Sequence, residues 1–321
     1  MTIQASLQQD LVRYGVAPTP LLDLSGLAPD GITLYGKAEW HLPTGSLKDR
    51  IAASMMARAK RDGLIDSTTR LLEPSSGNTG IALARIAAIE GLSLTVVAPD
   101  NISSERVDLL TAYGADIVYT PGDEGSNGAV RRAERMAEDG GHLMLHQYEN
   151  RGNPGAHELT TGPEIIEQTR ALGHDQIDAF VATLGTGGTL TGVGRSIKPA
   201  FPNLRMVAAE PPSGQLISGL RSLDDGYIPP IFDPSLLDGK ILVRTGDSIA
   251  MTRRIMTETG WFVGPSAGAA VHASLKVASR LEPGSVVVTV LCDAGWKYLS
   301  TGVFTGTVDE ATDRALGKTL W

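Results

Sequence analysis

Short apolar runs with strand character alternate with helical patterns along the whole of the 321-residue chain. The strand-like runs are residues 33–38, 93–98, 115–119, 143–147, 177–183, 204–210 and 285–292. Glycines such as Gly114, Gly173 and Gly260 stand where helices between these runs should end. Alternation of this kind predicts an α/β fold with mostly parallel sheets.

The composition excludes several classes of protein. A net charge of −8 argues against a nucleic-acid surface, which would need a basic face. The single cysteine, Cys292, allows no intramolecular disulfide and no cysteine-based zinc cluster. No run approaches the ~18 apolar residues of a membrane span, and the N-terminus lacks the pattern of a signal peptide. We therefore expect a cytoplasmic protein that binds neither metal, nucleic acid nor membrane.

Lys48 is the most informative single residue, because it stands where a turn runs into a helix. Residues 43–46 form the turn, Ser46 is the predicted N-cap, and an apolar stripe from Ile51 continues the helix. The positive end of the helix field disfavours the ammonium form, and an uncharged lysine amine is a nucleophile that can form a Schiff base. The alternative is an ordinary solvated lysine beside Asp49.

Two glycine-rich stretches each follow a strand-like run and open a helical segment. Residues 73–80 follow the run at 70–72, and residues 184–190 follow the run at 179–182. A strand that breaks at glycine into a helix directs several backbone N–H groups at one spot, which binds phosphate or carboxylate. The alternative is simple tight packing of small residues. Neither stretch fits a nucleotide-binding fingerprint, so a lysine with two anion sites suggests a phosphorylated aldehyde cofactor and an anionic substrate.

Three segments resemble the signatures of the cysteine synthases that depend on pyridoxal 5'-phosphate (PLP): residues 43–50, 75–80 and 185–189. Further matches run in the same order from Thr19 to Gly302. The chain is most similar to the cysteine synthase B type among the O-acetylserine and O-phosphoserine sulfhydrylases. The resemblance implies the tryptophan-synthase-β fold (PLP fold type II), with two open, mostly parallel sheets flanked by helices and the cofactor in the cleft between domains.

The same resemblance implies a division of the chain into three parts. These are a segment that packs with the C-terminal domain (1–40), a smaller N-terminal α/β domain (41–152) and a larger C-terminal domain that binds the PLP phosphate (153–321).

The resemblance also assigns roles to individual residues. Lys48 would carry PLP and remove the α proton of the substrate. The other cofactor-binding residues would be Asn78, Gly185, Thr186, Gly187, Gly188, Thr189 and Ser266. The substrate carboxylate would meet Ser75, Ser76, Gly77, Thr79 and Gln147. His157 is expected to be structural.

Ser266 would face the pyridine nitrogen of PLP. A neutral hydroxyl makes the ring a weaker electron sink than an aspartate would, which favours β-elimination and replacement over transamination. The alternative for Ser266 is a helix N-cap. The implied reaction passes through an aminoacrylate and converts O-phospho-L-serine or O-acetyl-L-serine to L-cysteine, or to S-sulfocysteine. The sulfur donor would be sulfide, thiosulfate or a protein thiocarboxylate.

Arg221 lies in a long loop at residues 211–234 and is similar to an arginine of the B-type enzymes. It would bind a phosphate leaving group or an anionic donor, since a guanidinium grips such oxyanions in a bidentate manner. The alternative is a solvated loop arginine. The tail that ends at Trp321 would either fray or fold over the site.

Other functions on the same scaffold stay open. One is a cystathionine β-synthase or a serine/threonine dehydratase, and another is a catalytically silent subunit that binds a peptide. The resemblance implies a homodimer, with a sulfur-carrier protein or the C-terminal peptide of serine acetyltransferase as possible partners. The sequence does not distinguish the activated serine, the sulfur donor or the oligomeric state.

Overall fold

The computed structural model describes residues 3–75 and 77–317. The strands are β1 (Leu21–Asp23), β2 (Thr33–Ala38), β3 (Arg70–Pro74), β4 (Ser93–Pro99), β5 (Asp116–Thr120), β6 (Leu143–Met144), β7 (Ala179–Thr183), β8 (Arg205–Glu210), β9 (Gly239–Leu242) and β10 (Val286–Leu291). The α-helices are α1 (Ile3–Arg13), α2 (Lys48–Arg61), α3 (Asn78–Glu90), α4 (Ser104–Ala112), α5 (Gly125–Glu138), α6 (Gly152–Leu159), α7 (Thr161–Ala171), α8 (Gly188–Ala200), α9 (Thr245–Thr259), α10 (Pro265–Ala278) and α11 (Val308–Ala315). Within these described ranges no helix is both long and apolar enough to cross a membrane.

The larger sheet has six strands in the order β1-β2-β10-β7-β8-β9. All neighbouring strands are parallel except the edge pair β1 and β2, which is antiparallel. β10 lies inside this sheet, where Val288 pairs with Tyr35 on one side and with Phe180 on the other. Every residue of β10 is buried, as expected for a parallel strand that is covered on both faces.

The smaller sheet has four strands in the order β5-β4-β3-β6, and every pair is parallel. The sequence predicts a strand over residues 143–147, but β6 ends at Met144. It ends early because His146 has a left-handed φ of 58° and because the Asn150 side chain donates to the Leu145 carbonyl at 2.9 Å. The chain therefore turns away from the sheet just before Gln147.

The chain divides into two compact units, each with its own apolar core. The first unit comprises Met1–Ala17 and Leu42–Ala156, and the second comprises Pro18–His41 and His157–Trp321. Ile51 and Met55 lie in the core of the first, and Val181 and Val287 lie in the core of the second. Residues 1–40, which were expected to form one segment, are thus divided between the units after Ala17.

Two helices begin differently from the sequence-based expectation. α2 begins at Lys48 with Leu47 as its N-cap, so the prediction of Ser46 as N-cap was wrong by one residue. The Ser46 hydroxyl still accepts the Lys48 N–H at 3.3 Å. α10 has Gly264 as its N-cap, which places Ser266 inside the first turn and excludes the alternative of a capping serine.

Candidate active site

The turn before α2 fixes the position of Lys48. Thr44 donates both its backbone N–H and its hydroxyl to Oδ2 of Asp49, each at 2.9 Å, and both residues are buried. Lys48 is the first residue of the helix and is half-buried. Its side chain therefore starts from a rigid backbone at the positive end of a 14-residue helix.

The glycine-rich loop before α3 closes on the hydroxyl of Ser75. Oγ of Ser75 accepts the N–H of Gly77 at 3.2 Å and the N–H of Gly80 at 2.9 Å. Both bonds use the hydroxyl as an acceptor, so its own hydrogen remains to be donated to a ligand. Asn78 and Thr79 then form the first turn of the helix.

Gln147 joins this loop through its side-chain amide. Its Oε1 accepts the Thr79 hydroxyl at 2.7 Å, and its Nε2 donates to the Pro74 carbonyl at 3.0 Å. The side chain of Asn153 in turn donates to the Gln147 carbonyl at 2.8 Å. These bonds are all buried, so Gln147 and Thr79 hold one fixed geometry beside the loop.

Glu73 lies beneath the same loop and was not singled out by the sequence. Its buried carboxyl accepts the backbone N–H of His146 at 2.9 Å and of Gln147 at 3.0 Å. Burial raises the pKa of Glu73 to about 8, although the two backbone N–H bonds oppose the rise. A signal was present, because an acidic residue that directly follows the apolar pair Leu71 and Leu72 needs buried partners.

The second glycine-rich loop connects β7 to α8 in the second unit. A Cβ at Gly185 would lie 2.6 Å from the Gly219 carbonyl oxygen, and a Cβ at Gly187 would lie 2.6 Å from Cβ of Phe232. Gly187 also has a φ of +80°, which favours glycine. The loop therefore exposes backbone at the start of a 13-residue helix, where N–H groups and the helix dipole attract an anion such as phosphate.

His157 supports this loop from below. The imidazole is fully buried, with Nδ1 2.9 Å from the Thr161 hydroxyl and Nε2 3.2 Å from the Thr189 hydroxyl. A histidine between two hydroxyls orients both of them, whichever tautomer it adopts. The structural role expected for His157 thus includes a contact with a residue of the proposed phosphate site.

Ser266 is buried in the first turn of α10. Two residues earlier, Gly264 donates its N–H to the carbonyl of Asp293 at 3.0 Å. Oδ2 of Asp293 accepts the hydroxyl of Tyr298 at 2.6 Å. The start of α10 is therefore tied to the segment that follows β10.

Arg221 lies against the glycine loop of its own unit. Its backbone N–H donates to the carbonyl of Leu184 at 2.8 Å, directly before Gly185. The guanidinium carbon lies 4.8 Å from the centre of the Tyr227 ring, within the range of a cation–π contact. Arg221 is thus held in place at both its backbone and its side chain.

The predicted site residues fall into two groups, one in each unit. The first unit holds Lys48, Ser75, Gly77, Asn78, Thr79 and Gln147, and the second holds Gly185, Thr186, Gly187, Gly188, Thr189, Arg221 and Ser266. Ser76 and the tail that ends at Trp321 lie outside the described residues.

A family model described as pyridoxal-phosphate dependent enzyme matches residues 12–293. The chain belongs to this family of PLP-dependent enzymes. It is 41% identical over 303 residues to a cysteine synthase of Staphylococcus aureus, an alignment that covers 92% of this chain and 97% of the relative.

Two solved structures extend the comparison. An O-ureido-L-serine synthase is 35% identical with a TM-score of 0.84, covering 95% of this chain and 98% of that chain. An O-acetylserine dependent cystathionine β-synthase from Helicobacter pylori is 33% identical with a TM-score of 0.83, covering 95% of this chain and 100% of that chain. The prediction of a PLP-dependent enzyme of the cysteine synthase type, with the α/β fold of that family, is confirmed.

Proposed function

We propose that the chain makes L-cysteine by replacing the β substituent of an activated L-serine with sulfur. The observation that carries this proposal is the 41% identity to a cysteine synthase over 92% of the chain. The two glycine loops support it, because the reaction needs one anion site for the cofactor phosphate and a second one for the substrate carboxylate.

The residues present fit PLP. The loop from Gly185 to Thr189 fits a phosphate, because Gly185, Gly187 and Gly188 leave its backbone without side chains at the start of a helix. Lys48 Nζ would carry the cofactor, Asn78 would hold its ring oxygen, and Ser266 Oγ would face its ring nitrogen. When bound, PLP supplies an electron sink for negative charge on the α carbon of an amino acid.

Lys48 moves the proton in this proposal. Its amine accepts the α proton as the β substituent leaves, and it returns a proton to the α carbon after sulfur has added at the β carbon. The short turn held by Thr44 and Asp49 keeps the lysine backbone still during both transfers. One residue thus serves as cofactor anchor and as general base.

The substrate carboxylate is assigned to the loop at the start of α3. The Ser75 hydroxyl retains a hydrogen to donate, since its oxygen accepts two backbone N–H groups. The amide nitrogen of Gln147 uses one hydrogen on Pro74 and has a second for a ligand. The positive end of the helix adds to the attraction for a carboxylate.

Ser266 supports replacement over transamination. A serine hydroxyl is neutral, so it stabilises a protonated ring nitrogen less than a carboxylate would. Negative charge at the α carbon is then relieved by expulsion of the β substituent. Ser266 is buried, so its hydroxyl would meet the ring nitrogen away from bulk water.

Arg221 is proposed to bind the phosphate of O-phospho-L-serine, or a thiosulfate donor. Its backbone bond to Leu184 brings it next to the glycine loop, and the Tyr227 ring restricts its guanidinium. A guanidinium held in this way loses less conformational entropy when it binds an oxyanion. These contacts favour a binding role over the solvated loop arginine.

The test is a comparison of kcat/KM for O-phospho-L-serine and O-acetyl-L-serine with sulfide, with Lys48→Ala as the inactive reference. We expect cysteine from at least one of the two substrates, and we expect Lys48→Ala to lose both activity and the visible absorption of lysine-bound PLP. A wild-type protein that binds PLP but forms no cysteine from either substrate would contradict the proposal.

A second candidate is the use of the homocysteine thiol, in place of sulfide, as the nucleophile that replaces the β substituent. It is favoured by the likeness to the Helicobacter pylori enzyme, which is named an O-acetylserine dependent cystathionine β-synthase. Competition between sulfide and homocysteine in one assay distinguishes the two. A homodimer, a sulfur-carrier partner, docking of a serine acetyltransferase peptide and a cytoplasmic location stay predictions.

A further inference from the structure

Glu73 is the last-but-one residue of β3, and its carboxyl group is completely buried. The two oxygens accept different backbone N–H groups of one segment, Oε2 from His146 and Oε1 from Gln147. β3 and β6 are neighbouring parallel strands, so these bonds join the chain just where it leaves β6. The carboxyl group thereby fixes the position of the segment as well as satisfying its own oxygens.

The segment needs such support. His146 adopts a φ of 58°, a left-handed conformation that a residue with a Cβ keeps only when its surroundings hold it. On the other side, Asn150 donates to the Leu145 carbonyl at 2.9 Å. Hydrogen bonds therefore hold the turn on both sides, from the Glu73 carboxyl to its N–H groups and from the Asn150 side chain to its carbonyl.

Gln147 connects Glu73 to the proposed substrate site. Its backbone bonds to Glu73, whereas its side chain accepts the Thr79 hydroxyl and donates to the Pro74 carbonyl. Thr79 lies in the first turn of α3, directly after Asn78. A shift of the Gln147 backbone would therefore move the amide that orients this turn.

We infer that Glu73 is a positioning residue for the site of the substrate carboxylate. It sets the backbone of Gln147, and through the Gln147 amide it sets the Thr79 hydroxyl. The inference rests on the proposed function, which assigns this loop to the carboxylate. Glu73 itself touches neither substrate nor cofactor in this role.

The first test needs neither cofactor nor turnover. In Glu73→Gln, one side-chain oxygen still accepts an N–H, but the new amide group directs hydrogens at the other N–H. We expect hydrogen exchange at the backbone amides of His146 and Gln147 to become at least about tenfold faster, because a buried N–H group of this segment loses its acceptor. Unchanged exchange at both amides would overturn the inference.

The second test measures carboxylate binding apart from the reaction. L-Alanine has the α-carboxylate but no leaving group, and its binding is followed by the visible absorption of the PLP-loaded protein. Glu73→Gln should retain PLP and bind L-alanine about tenfold more weakly. In a protein that already carries Gln147→Ala, Glu73→Gln should weaken L-alanine binding little further. The reason is that the two residues act in one chain of contacts. Independent, additive effects would refute the path through Gln147.

The matched control is Glu39→Gln, which changes another fully buried carboxyl in the second unit, where it accepts the Thr19 hydroxyl at 2.7 Å. Equal weakening of L-alanine binding in this variant would mark a general loss of stability and overturn the inference. If Glu73→Gln does not fold, Glu73→Asp keeps both acceptors on a shorter side chain and is read by the same two measurements. A wild type that forms no cysteine, with both responses intact, would refute the proposed function alone.

Discussion

The imidazole of His157 lies 3.2 Å from the hydroxyl of Thr189, at the point where the glycine loop of the second unit enters α8. The same ring contacts the Thr161 hydroxyl at 2.9 Å. A residue far from the loop in sequence thus orients one of the side chains assigned to the cofactor phosphate. His157 is therefore in physical contact with the proposed phosphate site.

We predict that His157→Leu weakens PLP binding about tenfold, because the Thr189 hydroxyl loses the partner that orients it. Titration of the PLP-free protein with PLP measures the dissociation constant. His174→Leu is the control, since it removes an imidazole that bonds to the Tyr35 hydroxyl at 3.0 Å. Equal loss of affinity in both variants would contradict the role of His157.

We predict that Gly187→Ala lowers both the free energy of unfolding and the PLP content. A Cβ here meets Phe232 at 2.6 Å and forces a residue with a side chain to keep a φ of +80°. The steric contact and the unfavourable φ together should lower the free energy of unfolding by about 2–4 kcal/mol, which chemical denaturation can measure.

Gly173→Ala separates these two effects. Gly173 has a φ of +87°, but nothing lies within 4 Å of a Cβ built there. This variant should lose only about 1–2 kcal/mol and should keep its PLP. If both variants behave alike, the close approach of Phe232 has no energetic importance.

We predict that Glu73 makes stability fall as the pH rises from about 4.5 to about 8. Burial raises its pKa in the folded state, so between these values the native protein keeps a proton that the unfolded chain has lost. The stabilisation is complete below the unfolded pKa and is lost as the pH passes through the folded one. The facing segment also carries charged groups, because Nε2 of His146 is 3.7 Å from both Glu134 and Glu149.

Denaturant unfolding of wild type and Glu73→Gln over this pH range measures the effect. The difference in unfolding free energy between the two proteins should change by up to about 1.4 kcal/mol per pH unit inside the window and level off above it. Other titrating groups cancel in this difference. A flat difference would show that the Glu73 carboxyl is ionised in the folded protein throughout.

We predict that Arg221→Ala lowers kcat/KM for O-phospho-L-serine by about tenfold to a hundredfold and leaves that for O-acetyl-L-serine within about threefold. The reason is that only the first substrate has a dianionic leaving group. Arg254→Ala is the control, because it removes a partly exposed arginine that bonds to Glu258 in α9. Equal loss on both substrates in Arg221→Ala would contradict the leaving-group role.

The helices and strands were largely predictable from local patterns in the sequence. β2 occupies residues 33–38 as predicted, because its apolar run and its boundaries are both local features. α2 begins at Lys48, as the turn before it indicates, and only its N-cap is shifted by one residue. The alternation of strands and helices was sufficient to predict mostly parallel sheets, whereas their number, two, came from the family resemblance.

The support of the site was not predictable in this way. The left-handed turn at His146 depends on Glu73, which is 73 residues earlier in the chain, so a strand pattern over 143–147 was the best local interpretation. His157 and Thr189 are likewise 32 residues apart. Contacts of this range leave no periodic signal in the sequence, whereas glycine loops and strand runs do.

Backbone atoms near Arg221 join its loop to the glycine loop beside it. The Arg221 N–H bonds to the Leu184 carbonyl, and the Gly219 carbonyl lies against Gly185. Neither of these two contacts uses the side chain at position 221. We therefore expect that an exchange of this side chain, in evolution or by design, would change leaving-group preference and leave these backbone contacts in place.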